Sequence, residues 1–127
     1  MNEVVMDSSI VMAILKNEKI DHAVHGIFGR AVMSTVNVAE IYTKLSELKM
    51  SSLGHVDALL SALGRIEAFT PAQAKSAGLL RDRTSHAGLS LGDRACLALA
   101  LELGAEVYTT DRAWARVDIG VRIHLLR

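Results

Sequence analysis

Residues 92–103 read GDRACLALALEL, and Gly104 follows them. The stretch is apolar on nearly every side, a pattern typical of a helix that is buried all round. A glycine just past the last turn is a common helix end. The next apolar run, at 106–109, predicts a strand, and residues 111–116 predict a short helix. The stretch therefore predicts a central, buried helix that packs beside a sheet.

Strands and helices alternate along the rest of the chain. Apolar or alternating runs predict further strands at 4–6, 31–33, 65–69 and 121–125. Amphipathic spacing predicts further helices at 7–15, 20–28, 34–48, 55–63 and 70–84. This alternation predicts an α/β fold, a three-layer α/β/α sandwich with a mainly parallel central sheet. We predict one domain over residues 1–127, because a chain of this length seldom divides into two.

The composition excludes several classes of protein. Half of the 127 residues are hydrophobic, which excludes a disordered, charge-rich chain. The 14 basic and 14 acidic residues balance, so no broad basic surface for nucleic acid or anionic lipid is expected. Aromatic residues make up 4% of the chain, too few for a platform that binds RNA by stacking alone. A nucleic acid would therefore have to be bound locally.

Three features bear on where the protein works. The longest apolar run, 95–101, is far shorter than the ~20 residues of a membrane span. The start of the chain, 1–3, carries no basic signal-peptide region. Cys96 is the only cysteine, so no disulfide can form within the chain, and it is expected to be a core residue. Together these features predict a cytoplasmic protein without a membrane segment.

Four acidic residues stand near the first turn of a predicted helix: Asp7, Glu40, Asp93 and Asp111. Because strand-to-helix turns of a parallel sheet share one edge, Asp7 and Asp111 are expected to be neighbours, with Glu40 close by. Asp93 follows a helix and a loop, so topology alone does not place it. Four carboxylates in one cleft would repel one another and raise their pKa values. A hard divalent cation, Mg²⁺ or Mn²⁺, is the natural partner of such an all-oxygen site.

Hydroxyl groups flank two of these acids. They belong to Ser8, Ser9, Thr109 and Thr110. They are placed to hold a metal-bound water or a phosphate oxygen. Two ions ~4 Å apart can activate water and stabilise the leaving oxygen of a phosphodiester. The acids and hydroxyls together therefore predict metal-dependent phosphodiester hydrolysis.

The alternative interpretation treats each acid as a helix cap. Asp7 is a good N-cap residue, and an acid such as Asp111 is favoured at a helix start. The ranges 37–40 and 90–93 both match a capping box, with a polar cap and an acid three residues later. Each cap would stabilise the fold by about 1 kcal/mol and contribute nothing to chemistry. The chain would then be a non-catalytic α/β interaction module.

The sequence resembles a known family at these residues. The segments that carry the resemblance are 5–9 (VMDSS), 37–42 (NVAEIY), 91–100 (LGDRACLALA) and 108–112 (YTTDR). In their order and spacing they are similar to PIN-domain ribonucleases of the VapC toxin type, from bacterial and archaeal toxin–antitoxin pairs. The resemblance covers essentially the whole chain and implies a PIN-like α/β/α sandwich.

The resemblance also implies a function. Asp7, Glu40, Asp93 and Asp111 fall on the acidic metal-binding positions of the family, and Thr109 or Thr110 on its hydroxyl position. Such proteins cleave RNA endonucleolytically with Mg²⁺ or Mn²⁺. They usually form homodimers and are inhibited by a cognate VapB-type antitoxin whose C-terminal tail wraps the toxin.

Three arginines flank the acids in sequence, namely Arg94, Arg112 and Arg116. Each is a candidate for contact with RNA phosphates, and a solvated surface position is the alternative.

A receiver domain or a haloacid-type phosphatase also has an acid cluster. A receiver would need a lysine after a late strand, and 121–125 contains none. A phosphatase would need Asp-x-Asp where 7–9 reads Asp-Ser-Ser.

Overall fold

The protein is built on a five-stranded parallel sheet, seen in a computed structural model that describes residues 2–49 and 53–127. The strands are β1 (Val4–Met6), β2 (Ala31–Ser34), β3 (Arg65–Glu67), β4 (Val107–Thr109) and β5 (Ile123–Leu125). Their order is β3-β2-β1-β4-β5, and every neighbouring pair is parallel. All the strands therefore end at the same edge, with β1 in the middle.

Within the described residues, seven α-helices connect and flank the strands. They are α1 (Ser8–Leu15), α2 (Val24–Ile27), α3 (Thr35–Glu47), α4 (Leu53–Ser61), α5 (Pro71–Leu79), α6 (Arg81–Thr84) and α7 (Leu91–Leu103). Short 3₁₀ helices cover Phe28–Arg30, Ser85–Ala87 and Arg112–Arg116. In the described part of the chain, no helix is long and apolar enough to cross a membrane.

Helices cover both faces of the sheet. On one face, α1, α3 and α4 pack over Val4 and Met6 of β1. On the other, α5 and α7 pack over Val5 of β1, and the buried Trp114 completes that core. Successive side chains of a strand point to opposite faces, so β1 contributes to both cores. The predicted three-layer α/β/α sandwich is confirmed.

The predicted central helix is confirmed as α7. All side chains from Ala95 to Ala100 are buried, including Cys96. The helix begins with a capping box between Ser90 and Asp93, as the sequence predicts. It ends at Gly104, whose φ of 61° lies in the left-handed region that glycine adopts without strain.

The predicted capping box at 37–40 is wrong. Helix α3 begins three residues earlier than that box requires, because Ser34 is the N-cap and its hydroxyl accepts a hydrogen bond from Val36 N. Asn37 and Glu40 therefore lie inside the helix, with both side chains on one face.

Several predicted helices are shorter or divided. The helix expected at 20–28 is limited to α2 and the 3₁₀ turn that follows it, because the Asp21 carboxylate accepts a hydrogen bond from Ala23 N and forms a turn there. The helix expected at 70–84 begins as predicted, with Thr70 as N-cap and Pro71 in the first turn, but it divides at Leu80 into α5 and α6. At the division, the Leu80 carbonyl accepts hydrogen bonds from Arg83 N at 3.1 Å and from the Thr84 hydroxyl at 2.8 Å, and a hydroxyl that bonds back to the carbonyl four residues earlier bends a helix.

Candidate active site

Asp7 lies at the centre of the strand-end edge, directly after β1, and is 3% exposed. Its Oδ2 accepts a hydrogen bond from Thr109 Oγ1 at 2.9 Å. Its Oδ1 is buried and has no hydrogen-bond partner among the described residues. The pKa of Asp7 is raised to about 6: burial is the largest cause, the nearby carboxylates of Asp93 and Glu40 add to the rise, and the neighbouring hydroxyl groups oppose it. Asp7 occupies the N-cap position of α1 without a capping hydrogen bond.

Glu40 brings α3 into the site. Its Oε1 accepts hydrogen bonds from Ser8 Oγ at 3.1 Å and from Asn37 Nδ2 at 2.8 Å. The carboxylate lies directly over the first turn of α7, because a Cβ on Gly92 would be 2.7 Å from Oε1 and closer still to Oε2. Helices α1, α3 and α7 therefore meet at this one side chain.

Asp93 stands in the first turn of α7 and has two roles. Its Oδ2 accepts a hydrogen bond from Ser90 N at 2.9 Å, which is the side-chain half of the capping box. Desolvation by burial raises its pKa, and the carboxylates of Glu40 and Asp111 add to the rise against the hydrogen bonds from Ser90. Asp93 thus caps a helix and also lies within the electrostatic field of the other acids.

Asp111 is the most exposed of the four acids. It follows β4, and its Oδ1 accepts a hydrogen bond from Ala113 N at 3.0 Å, so it caps the 3₁₀ helix Arg112–Arg116. Its own backbone N–H donates to Thr109 Oγ1 at 3.1 Å. The cap interpretation therefore holds for Asp93 and Asp111, whereas Asp7 and Glu40 make no capping hydrogen bond.

A hydroxyl network connects the ends of β1 and β4. Thr109 Oγ1 donates to Asp7 and lies 3.2 Å from Ser9 Oγ. Since a hydroxyl has one proton, Ser9 is the donor in that pair. Ser9 Oγ in turn accepts a hydrogen bond from Thr110 N at 3.0 Å. Of the two threonines, it is the Thr109 hydroxyl that contacts an acid of the site.

The four acids form one electrostatically connected set, since Asp7 is affected by Asp93 and Glu40, and Asp93 by Glu40 and Asp111. Within residues 2–49 and 53–127, no three acidic, histidine or cysteine side chains already converge as a metal cage. The donor set nevertheless fits a hard divalent ion, because it consists of oxygens and includes the buried, unpartnered Oδ1 of Asp7.

The expectations for the flanking arginines differ in outcome. Arg94 is buried, and its Nη1 donates to the backbone carbonyl of Ala77 at 2.9 Å. Both the phosphate-contact and the solvated-surface interpretations of Arg94 are therefore wrong, because it packs between α7 and α5. Arg112 and Arg116 are exposed, and their contact with RNA stays a prediction.

Sequence reasoning missed two residues of the site. The sequence pattern indicates Asn37 only as a helix cap and Gly92 only as part of a motif. A signal for Gly92 was present, since glycine in the first turn of a long helix lowers helix stability and needs a reason. A signal for Asn37 was its spacing of three from Glu40, which places both side chains on one helix face.

Comparison with known proteins agrees with this architecture. The sequence profile of the PIN domain family matches residues 4–120. Three similar solved structures are the DNA-bound VapBC complex of Salmonella typhimurium, the DNA-bound VapBC2 complex of Rickettsia felis, and VapC20 of Mycobacterium tuberculosis, a sarcin-ricin loop cleaving toxin.

The likeness to these three structures extends over the whole fold. The first two share 19% identity with this chain, cover 98% of both chains, and give TM-scores of 0.73 and 0.72. VapC20 shares 20% identity, with 94% of this chain and 99% of its own covered and a TM-score of 0.68. No curated protein matches the sequence. The profile match over most of the chain, together with the parallel sheet and the acids at its edge, shows that the chain belongs to the PIN domain family.

Proposed function

We propose that this protein is a metal-dependent endoribonuclease that hydrolyses RNA phosphodiester bonds, and that it is the toxin of a toxin–antitoxin pair. The observation that carries the proposal is the buried Asp7 carboxylate, whose pKa is raised to about 6 and whose Oδ1 has no partner among the described residues. A buried carboxylate without a partner lowers the stability of the fold, so a protein that only binds partners would have no reason to keep it. Binding of a divalent cation gives this carboxylate a role.

The named relatives support the same activity. Nuclease activity is the property of the PIN family, and VapC20 is described as cleaving the sarcin-ricin loop. The other two similar structures are VapBC complexes, and VapBC is a family of toxin–antitoxin systems. We therefore propose that the partner of this protein is a VapB-type antitoxin. We also propose that residues 1–127 form a single PIN domain, and that the protein works as a homodimer in the cytoplasm.

The residues that would hold Mg²⁺ or Mn²⁺ are Asp7, Glu40, Asp93 and Asp111. A divalent ion there supplies positive charge to the scissile phosphate and makes a water more acidic. The chain itself supplies the geometry. Ser8 fixes one oxygen of Glu40, and Thr109 fixes one oxygen of Asp7. We also propose that Arg112, which is exposed and follows Asp111 in the chain, contacts an RNA phosphate.

The experiment is RNA cleavage with and without metal. We expect Mg²⁺ or Mn²⁺ to support cleavage of single-stranded RNA, EDTA to abolish it, and Asp7→Asn to lower kcat at least ~100-fold, as loss of a main electrostatic group does. Asp82→Asn, at an exposed position of α6, is the matched control and should cleave normally. Cleavage by Asp7→Asn at the wild-type rate would refute the proposal.

The interaction-module alternative keeps one supporting observation. Asp93 and Asp111 do make capping hydrogen bonds. It leaves Asp7 and Glu40 unexplained, because neither caps a helix. If the protein binds its partner but cleaves no RNA with any divalent metal, the alternative is correct.

A further inference from the structure

The side-chain amide of Asn37 connects α3 to α7 beneath the acids. Asn37 is fully buried, and its Nδ2 donates to Glu40 Oε1 at 2.8 Å and to the Gly92 carbonyl at 3.1 Å. Both partners are acceptors, so the NH₂ group must face them and the orientation of the amide is fixed. Its Oδ1 has no hydrogen-bond partner among the described residues. The contacts of Asn37 therefore direct its NH₂ group toward Glu40, and its carbonyl oxygen is left without a hydrogen bond from the described residues.

Glu40 needs such a donor because its neighbours repel it. Its carboxylate interacts unfavourably with those of Asp7 and Asp93, and its flexible side chain would otherwise turn toward solvent. A lysine or arginine would hold Glu40 too, but its charge would compete with a metal ion for the same oxygens. The amide of Asn37 and the hydroxyl of Ser8 hold the carboxylate and add no charge.

We propose that Asn37 is a positioning residue of the cation site: it holds the Glu40 carboxylate over Gly92 and so fixes the acid of α3 relative to the acids of α1 and α7. This inference rests on the proposed metal-dependent function. A site whose ligand is held in place before the ion arrives loses less conformational freedom on binding. Asn37 therefore raises the affinity for the ion without touching the RNA.

The test is Mn²⁺ affinity, measured by calorimetry or electron paramagnetic resonance without RNA. Asn37→Ala should bind Mn²⁺ about 10- to 100-fold more weakly than wild type, as loss of a residue that orients a metal ligand does. Gln73→Ala is the matched control. Gln73 is also a buried helix amide, it donates to Glu102 of α7, and its own oxygen is unpartnered among the described residues. Gln73→Ala should lose stability comparably and keep its Mn²⁺ affinity within twofold.

A measurement on the unaltered protein covers the case in which Asn37→Ala does not fold. The sequence has three asparagines and one glutamine, so its side-chain amide NMR signals are few. Asn2 and Asn17 are exposed, whereas Asn37 is buried. The Asn37 amide protons should exchange slowly and should shift when Glu40→Gln is introduced. Exchange as fast as that of Asn2 and Asn17 would overturn the proposal.

The outcomes separate this inference from the function on which it rests. If wild type binds Mn²⁺ and cleaves RNA while Asn37→Ala binds Mn²⁺ equally well, only the role of Asn37 is overturned. If wild type binds no Mn²⁺ and cleaves no RNA, both are overturned. Selective loss of Mn²⁺ affinity in Asn37→Ala, with Gln73→Ala unchanged, supports the positioning role.

Discussion

Replacing Gly92 with alanine should separate activity from stability. A Cβ at this position would lie 2.7 Å from Glu40 Oε1 and closer to Oε2, whereas ordinary contact begins near 3.4 Å. The atoms in the way are the end of a flexible side chain, so the carboxylate moves by on the order of 1 Å and the backbone of α7 does not. A displacement of this size in a catalytic site costs about 100-fold in rate.

The effect on folding should be small because two contributions oppose each other. Alanine favours a helix over glycine by about 1 kcal/mol. Displacing the carboxylate removes two hydrogen bonds, from Ser8 and Asn37, and at about 1.5 kcal/mol each toward a charged acceptor their loss costs about 3 kcal/mol. We therefore expect the free energy of unfolding to change by no more than about 2 kcal/mol while kcat/KM falls about 100-fold.

The assay pairs cleavage of a fluorogenic RNA with urea unfolding of the same preparations. Gly78→Ala is the control, because Gly78 lies in helix α5 and a Cβ there would meet nothing within 4 Å. That variant should keep its activity. Full activity in Gly92→Ala would refute the placement of Glu40 in the catalytic geometry, and a large loss of stability would show that the backbone of α7 had moved instead.

Three further predictions follow from the contacts of Asp7. In metal-free buffer, the pKa of the Asp7 carboxyl group is about 6 in the folded state and near 3.8 in the unfolded state. As the pH rises, the unfolded state therefore loses this proton first. The free energy of unfolding falls by about 3 kcal/mol between about pH 4 and pH 6. Asp7→Asn should remove most of that fall in urea titrations and leave the part that comes from Asp93, whose pKa burial also raises. An unchanged pH profile would contradict the burial of the Asp7 charge. Mn²⁺ at 100 times its Kd should stabilise the wild-type protein by about 2.7 kcal/mol, measured by thermal unfolding, and should stabilise Asp7→Asn much less. Equal shifts in the melting temperatures of the two proteins would exclude Asp7 as a ligand. Thr109→Val should destabilise the fold by about 1–3 kcal/mol, because Asp7 Oδ2 loses its donor, whereas Thr109→Ser should restore most of this stability; equal stability of both variants would contradict that role.

The sequence predicted the fold well where local patterns decide it. The apolar run of α7, the glycine after it and the alternation of strands with helices depend on nearby residues, and all are confirmed. The predicted helix at 20–28 failed because one side chain, that of Asp21, forms a turn that hydrophobic periodicity does not report.

The sequence predicts where the acidic site lies in the fold, but it predicts few of the side-chain contacts within the site. Topology places Asp7 and Asp111 after neighbouring strands, and the structure shows them there. The direction of a side chain is set by packing between distant segments, which explains the error at Arg94. The contact between Glu40 and Gly92 joins residues far apart in sequence, so no local pattern could reveal it.

The buried indole of Trp114 gives this protein an internal optical probe. Trp114 is the only tryptophan, and it belongs to the 3₁₀ helix that Asp111 caps. Its emission therefore reports on one short segment, the one that carries the most exposed acid. A red shift of that emission, seen before global unfolding, would mark local detachment of the segment and could be followed in real time by stopped-flow fluorescence.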